Sequence, residues 1–294
     1  MSNSFSRAAH DAIKEQYAND EHLSVRIRTH ELYTRPQVDF PKWVIDTLHW
    51  RGDEWVLDIG AGPGNYFDLV LERVPHGHLV AGDLSFGMVQ QARHNPRAAQ
   101  VSLLNFDAQN LPFADGRFDV VLANHMLYHV PDIEAALSEI RRVLKWDGCL
   151  VAATNSQHNL SELDTLTRRA VALLGFPKYD PVLRDHDHFL LENGSAALTQ
   201  YFRAIARYDL PSALHFPEVE PVLAYLNSMQ ALRAPYLPED ITWDDYIDVM
   251  EKQITRLIRH FGELEVQKLA GVLVGTNGGG FAADYFQRLD SERR

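Results

Sequence analysis

Val56-Leu57-Asp58-Ile59-Gly60-Ala61-Gly62-Pro63-Gly64-Asn65 is the stretch on which the reading of this chain turns. A short apolar run ends in a turn with three glycines. Phe67, Val70, Leu71 and Val74 then recur at helical spacing until Pro75 and Gly77 stop them. The pattern is strand, glycine-rich turn, helix. Glycine lets the backbone turn sharply and come close to a ligand with no Cβ between them. The start of the helix adds unpaired N–H groups and a partial positive charge, which favour an anionic ligand group. The dinucleotide fingerprint wants a glycine three positions after its second glycine, and Asn65 stands there instead.

Working outward, further apolar runs follow at Leu79–Gly82, Val101–Phe106, Phe118–Ala123 and Cys149–Ala153. They alternate with amphipathic helices, one of which is expected to start at an Asp132 N-cap and to bury Ile133, Leu137, Ile140 and Leu144. Continuous apolar strands alternating with helices imply a parallel sheet covered on both faces. After Asn155 the texture turns helical around Leu163–Leu173, Val222–Met229 and Tyr246–Phe261, with strand-like pieces at Ala204–Leu210 and Leu269–Thr276. The expected fold is therefore α/β, a doubly wound, mostly parallel sheet of seven strands with a helical lid. Residues 1–48 form an N-terminal helical cap segment, and residues 49–294 form the main domain with the lid inserted at about 212–262.

Three more strand ends carry polar residues. Gly82-Asp83-Leu84-Ser85 puts a carboxylate 21 residues beyond Gly62, where it can accept the hydroxyls of a ribose. The third strand runs into Asp107-Ala108-Gln109-Asn110-Leu111-Pro112-Phe113, and the fourth into Ala123-Asn124. Open parallel sheets bind ligands at this C-terminal edge. Taken singly, Asp58 or Asp107 is more often a turn or cap residue than a ligand, and Asp83 alone can begin the turn before a helix near Ser85; their recurrence at successive strand ends is what points to a ligand.

The set VLDIGAGPGN, AGDLS, FDAQNLPFADGRFDVVLANHMLYHV and RRVLKWDGCLVAAT resembles the class I S-adenosylmethionine-dependent methyltransferases, in particular the group with the quinone-biosynthesis C-methyltransferases, over about residues 55–155. The resemblance implies a Rossmann-like fold and S-adenosyl-L-methionine as cofactor. It implies that Asp83 holds the ribose, that Asp107 and Ala108 meet the adenine amino group, and that Leu84 packs on the adenine. Gly60, Ala61, Gly62 and Gly64 would surround the methionine part, with Asp58 and Asn124 at its amino end and Tyr17 closing the site. Trp146-Asp147-Gly148 departs from the family's Pro-Gly-Gly turn, away from the cofactor.

Methyl transfer from a sulfonium needs alignment and dryness more than it needs a catalytic motif. A general base is required only if the acceptor must lose a proton. His129 and His125, after the fourth strand, are the candidates, with a packing or capping role as the alternative for each. Residues of the insertion, among them the aromatic Phe216, Tyr225, Tyr236, Trp243 and Tyr246 and also Met229, are expected either to line the acceptor pocket or to pack helices together. His186-Asp187-His188 lacks a third ligand at a suitable spacing, so no metal site is expected.

The formal charge of −12, from 40 acidic and 28 basic residues, argues against a nucleic-acid partner. No apolar run is long enough for a membrane span, the chain's start lacks the pattern of a secretory signal, and there is one cysteine. A cytoplasmic protein acting on a small molecule is expected. An RNA or protein methyltransferase, a non-catalytic cofactor-binding regulator and an NAD-dependent oxidoreductase remain the alternatives.

Overall fold

The structure, a computed structural model, describes residues 20–181 and 188–283. Eight strands form one sheet: β1 (Thr34–Arg35), β2 (Trp55–Ile59), β3 (His78–Asp83), β4 (Val101–Asn105), β5 (Phe118–Leu122), β6 (Leu144–Asn155), β7 (Ala204–Phe216) and β8 (Leu264–Thr276). Their order is β4-β3-β2-β5-β6-β8-β7-β1. The strands from β2 to β6 are parallel to their neighbours, and β8 and β7 close the sheet antiparallel. The mostly parallel, doubly wound α/β sheet is thus the one expected. The order reverses beside β2, between β3 and β5, which makes a topological switch point of the kind that leaves a crevice above the sheet.

Three details differ from expectation, each for a local reason. The two-residue β1 adds an eighth strand by pairing Thr34 and Arg35 with Leu214 and Ala213, too short a segment to show a pattern. β7 and β8 pair without interruption from Ala204↔Thr276 to Phe216↔Leu264. Their distal halves were missed because Ser212, Gln267 and Lys268 dilute the apolar signal there. β6 starts at Leu144, and Trp146-Asp147-Gly148 lies within it, where the register with β5 shifts between Phe118 and Val120.

Helices cover both faces. α1 (Asp20–Tyr33), α2 (Phe40–Ile45), α3 (Phe67–Arg73), α4 (Phe86–Ala92) and α5 (Ile133–Val143) accompany the first five long strands. α6 (Ser161–Leu173) and α7 (Gly194–Leu198) follow β6. α8 (Glu220–Asn227), α9 (Gln230–Arg233) and α10 (Trp243–Phe261) fill the connection from β7 to β8. Asp132 caps α5 by accepting the Ala135 N–H, and Leu137 and Ile140 pack on Leu57, Val121 and Leu150. Val44, Ile45, Phe67 and Val70 cover the opposite face against Val56, Leu122 and Val151. A third core joins α6, α8 and α10 to the distal part of β7 and β8 through Leu163, Ala170, Tyr246, Met250, Leu214 and Val266. Among the described residues no helix is long and apolar enough to cross a membrane.

Two ion clusters pin the sheet's loops. Arg142 on α5 donates to the carbonyls of Phe113 and Leu111 and to Asp115 and Glu139, while Glu139 accepts the Leu111 N–H. This fixes the loop that begins at Asp107. At the other edge Asp119, with a side chain only 10% exposed, accepts from Arg51, Lys145 and the Trp55 N–H, joining β2, β5 and β6. Burial alone would raise the Asp119 pKa; the hydrogen bonds from Lys145, Trp55 and Arg51 overcome this and hold it below the usual value. Asp119→Ala is expected to cost about 2–3 kcal/mol at pH 7, in line with charge-assisted hydrogen bonds. Because the folded pKa is depressed, the stability Asp119 contributes is present above about pH 4 and lost as the pH falls further. Urea melts of both proteins should differ by a constant amount from pH 5 to 8 and converge in more acid solution. A constant gap at all pH values would mean that the ion cluster is not its source.

Candidate functional site

The C-terminal ends of all five parallel strands meet at one cavity of about 1110 Å³. Asp58 comes from the end of β2, Asp83 from the end of β3, Asp107 from just beyond β4, Asn124 from just beyond β5, and Asn155 is the last residue of β6. The volume exceeds the ~300–1,000 Å³ of ordinary single-ligand pockets. It continues past Asn124 and His125 to α1, α8 and α9.

The glycine turn is built for close approach. Gly60 has φ +69°, and its N–H and that of Ala61 both donate to the Gly82 carbonyl, which ties the turn to β3. A Cβ at Gly60 would strike the Met126 side chain at 2.8 Å. Gly62, at φ +55°, has nothing within 4 Å of where its Cβ would be and faces the cavity. Its N–H donates to Asp83 Oδ2 at 3.1 Å. Asp83 Oδ1 accepts the Ser85 N–H at 2.8 Å, and Ser85 caps α4. Asp83 is therefore both the turn residue and a carboxylate locked at the cavity wall, with lone pairs to spare for a ligand. Burial raises its pKa, and the N–H groups of Ser85, Gly62 and Leu84 pull it part of the way back.

Asp58 is the most perturbed group in the cradle. It is 1% exposed, and its Oδ2 is buried with no hydrogen-bond partner. Burial, with the Asp83 charge as a second cause, pushes its pKa up to about 8, so at neutral pH it is largely protonated. Beside it the Asn124 side chain has both polar atoms buried and unpartnered. Buried polar groups without partners are rare in folded proteins, and here they share one cavity wall.

Other expected residues fall out differently. Ala61, Leu84 and Ala108 line the cavity. Gly64 does not; its φ of +89° and the Phe67 ring 2.5 Å from its would-be Cβ give it a packing role in starting α3. Asp107 lines the cavity, but its carboxylate accepts the backbone N–H and side-chain amide of Gln109, which is turn chemistry. His125 and His129 both line the cavity, in the loop and short turn after β5. His125 has φ +53°, an uncommon conformation for a side-chain-bearing residue, and stacks near Phe40. Burial, and then Lys268, lowers its pKa to about 4. Tyr17, His186 and Asp187 lie outside the described residues.

Of the lid aromatics, Tyr225 lines the cavity together with Met229, while Phe216 and Tyr246 are fully buried packing residues. The sequence reading missed Lys268, Asp164, Arg233 and Asn155, which all line the cavity. Arg233 pairs with the buried Asp164 at 3.2 Å. Lys268 stands at the inward phase of β8, between the buried Val266 and Ala270. Away from the cavity, His215, Glu263 and Glu265 bring ligand-type atoms within 4.8 Å of one another on the surface.

The fold is a mostly parallel α/β sheet with a ligand-sized cavity, bordered by carboxylates, at its switch point. Residues 57–152 match the family model described as a methyltransferase domain. Malonyl-[acyl-carrier protein] O-methyltransferase of Geobacter sulfurreducens is 30% identical over 181 residues, covering 61% of this chain and 66% of that protein. Demethylmenaquinone methyltransferase of Listeria welshimeri is 35% identical over 109 residues, covering 36% of this chain and 46% of that one. The match thus spans less than two thirds of these relatives' own length. Among solved structures, a chain of the complex containing the Haloferax volcanii Trm112 methyltransferase activator superposes with a TM-score of 0.52 at 17% identity. That match covers 90% of this chain and 96% of the other, a likeness of fold. The methyltransferase domain at residues 57–152 and these relatives support a class I S-adenosylmethionine-dependent methyltransferase.

The raised Asp58 pKa has a direct consequence for the free protein. In the folded state Asp58 keeps its proton up to about pH 8, while in the unfolded chain it ionises near pH 4. Its contribution to stability is complete below pH 4 and is lost as the pH rises to about 8. Asp58→Asn, nearly the same shape without the charge, should therefore gain stability relative to wild type as the pH is raised from 4 to 8, then level off. Thermal melts across that range without ligand measure this. A difference independent of pH would contradict the protonated assignment.

Proposed function

We propose that this chain transfers a methyl group from S-adenosyl-L-methionine to a small-molecule acceptor by in-line displacement. The observation that carries the reading is the buried, partnerless pair of Asp58 Oδ2 and the Asn124 amide, facing the same cavity as the locked Asp83 carboxylate. These residues fit the cofactor's polar ends. Asp58 and Asn124 hold the amino end of its methionine part, and Asp83 accepts from the ribose hydroxyls. Ala108 and Leu84 border the base, and Gly60 to Gly62 let the backbone lie against the chain. Bound there, the cofactor supplies a methyl group already activated by its sulfonium.

What remains for the protein is alignment and exclusion of water. The described part of the expected cap segment, α1 and α2, and the helices between β7 and β8 as a lid would close the site from the side of α1 and α8. His125, held neutral near a pKa of 4, is a weak base at neutral pH. Removing a proton from the acceptor, where its chemistry requires that, falls to His129 in this reading. The net charge of −12 supports a small acceptor over a nucleic acid. The relatives named above carry names that refer to an acyl-carrier-protein-bound malonyl group and a quinone. Such different acceptors fit a scheme in which the cofactor half is shared and the lid half sets the substrate.

Two substitutions separate binding from folding. Asp83→Ala is expected to weaken S-adenosylhomocysteine binding by about 2–4 kcal/mol while the protein stays folded, since a charged acceptor for two hydroxyls is lost. Gly62→Val puts a branched side chain into the open space of the cavity and should abolish binding, at a stability cost of about 1–2 kcal/mol from the positive φ. Calorimetry alongside thermal melts reads both effects. Unchanged affinity in either folded variant, or measurable NAD binding by the wild type, would refute the cofactor assignment.

A further inference from the structure

We propose that the acceptor is a carboxylic acid, bound as its carboxylate against Lys268, with its apolar body between α1 and the lid. The inference rests on the methyltransferase reading and names the acceptor class for that site.

The cavity carries charge on both sides. Asp58, Asp83 and Asp107 stand at or just beyond the ends of β2, β3 and β4, Asp39 caps α2, and Glu31 and Asp164 stand on α1 and α6. Its three lysine and arginine residues, Arg26, Arg233 and Lys268, stand on α1, α9 and β8. Arg233 is paired with Asp164 at 3.2 Å. Lys268 is not paired with any acid among the described residues; its Nζ donates to the Thr34 hydroxyl at 3.2 Å. Thr34 belongs to β1, the two-residue strand laid along β7, so the contact joins the segment after α1 to the cavity floor.

An ammonium facing inward between the buried Val266 and Ala270 loses much of its hydration and has no anion to replace it. Burial lowers its pKa to about 8, which still leaves it mostly charged at neutral pH. Its charge in turn reaches His30 and His125, both held neutral chiefly by burial. His30 keeps a buried, partnerless Nδ1 in the same cavity wall. One unpaired cation, one free hydroxyl lone pair and one imidazole nitrogen suit a singly charged carboxylate. A phosphate dianion would call for a second free cation, and Arg233 is already paired with Asp164. The cavity also offers apolar side chains, Ile27, Leu160, Leu210, Tyr225, Met229 and Ala270, which match an acid carried on a hydrocarbon or aromatic body.

The test uses the full-length protein saturated with S-adenosylhomocysteine, whose own binding is measured first. Octanoic, decanoic and dodecanoic acids and the corresponding primary amides are then titrated by calorimetry. At least one acid should bind about tenfold or more tighter than its amide, as expected for a charge-assisted contact. Lys268→Met should abolish that preference, and Lys268→Arg should retain it. Acids that bind no better than amides, including no binding by either, would overturn the proposal without needing a variant. So would Lys268→Met weakening S-adenosylhomocysteine while the acid preference persists, since the lysine would then serve the cofactor's own carboxylate. Failure of the wild type to bind S-adenosylhomocysteine would instead remove the methyltransferase reading and this proposal with it.

Discussion

Two carboxylates, Asp58 and Asp83, end adjacent parallel strands in a place that water hardly reaches. That arrangement is unfavourable in the free protein, and much of the surrounding architecture limits its cost. The Gly62 and Ser85 N–H groups hold Asp83 by both oxygens, which ties the glycine turn, β3 and α4 into one unit. Asp58 receives no such help and keeps a proton instead. Sites that bind charged ligands are places where perturbed groups collect, because the ligand provides what the protein withholds. Here the missing partner is a cation next to a donor and acceptor of amide type, and the ammonium of an amino acid has that character.

The far half of the cavity holds its lysine and arginine residues. Arg26, Arg233 and Lys268 line the end reached by α1, α9 and β8, together with Glu31 and with Asp164, which Arg233 engages. Lys268 pairs there with no acid among the described residues. The antiparallel pair β7–β8 reaches this end, because its distal halves extend past the parallel strands and carry Ser212 and Lys268 up to the lid. The carboxylate-bearing strand ends and the Lys268 side of the cavity thus belong to different strands of one sheet.

The same division decides how much was legible in the sequence. The cofactor half could be read because it lies on parallel strands buried on both faces, whose apolar runs stop abruptly at glycine and aspartate. Asp58, Asp83 and Asn124 were read at strand ends for that reason, and all three line one cavity. Gly64 was assigned to the ligand because a run of alternating glycines does not say which one faces a cavity and which one admits a phenylalanine ring. Asp107 could not be separated from its partner Gln109, two positions on, because spacing carries no side-chain direction. Lys268, Asp164 and Arg233 were out of reach for a different reason. They come together only through long-range packing of α6, α9 and β8, and a single lysine in a strand otherwise reads as a surface residue.

The central claim is that Asp58 waits, protonated, for the amino group of the cofactor. Calorimetric titration of S-adenosylhomocysteine in buffers of different ionisation enthalpy measures this directly, since the observed heat then reports protons exchanged on binding. At pH 7 the account calls for release of a proton, approaching about one per site, as the arriving ammonium drives Asp58 to its ionised form. The release should fade toward pH 9, where Asp58 is already charged, and should be absent in Asp58→Asn. Tight binding with no proton exchange at pH 7 would contradict the account.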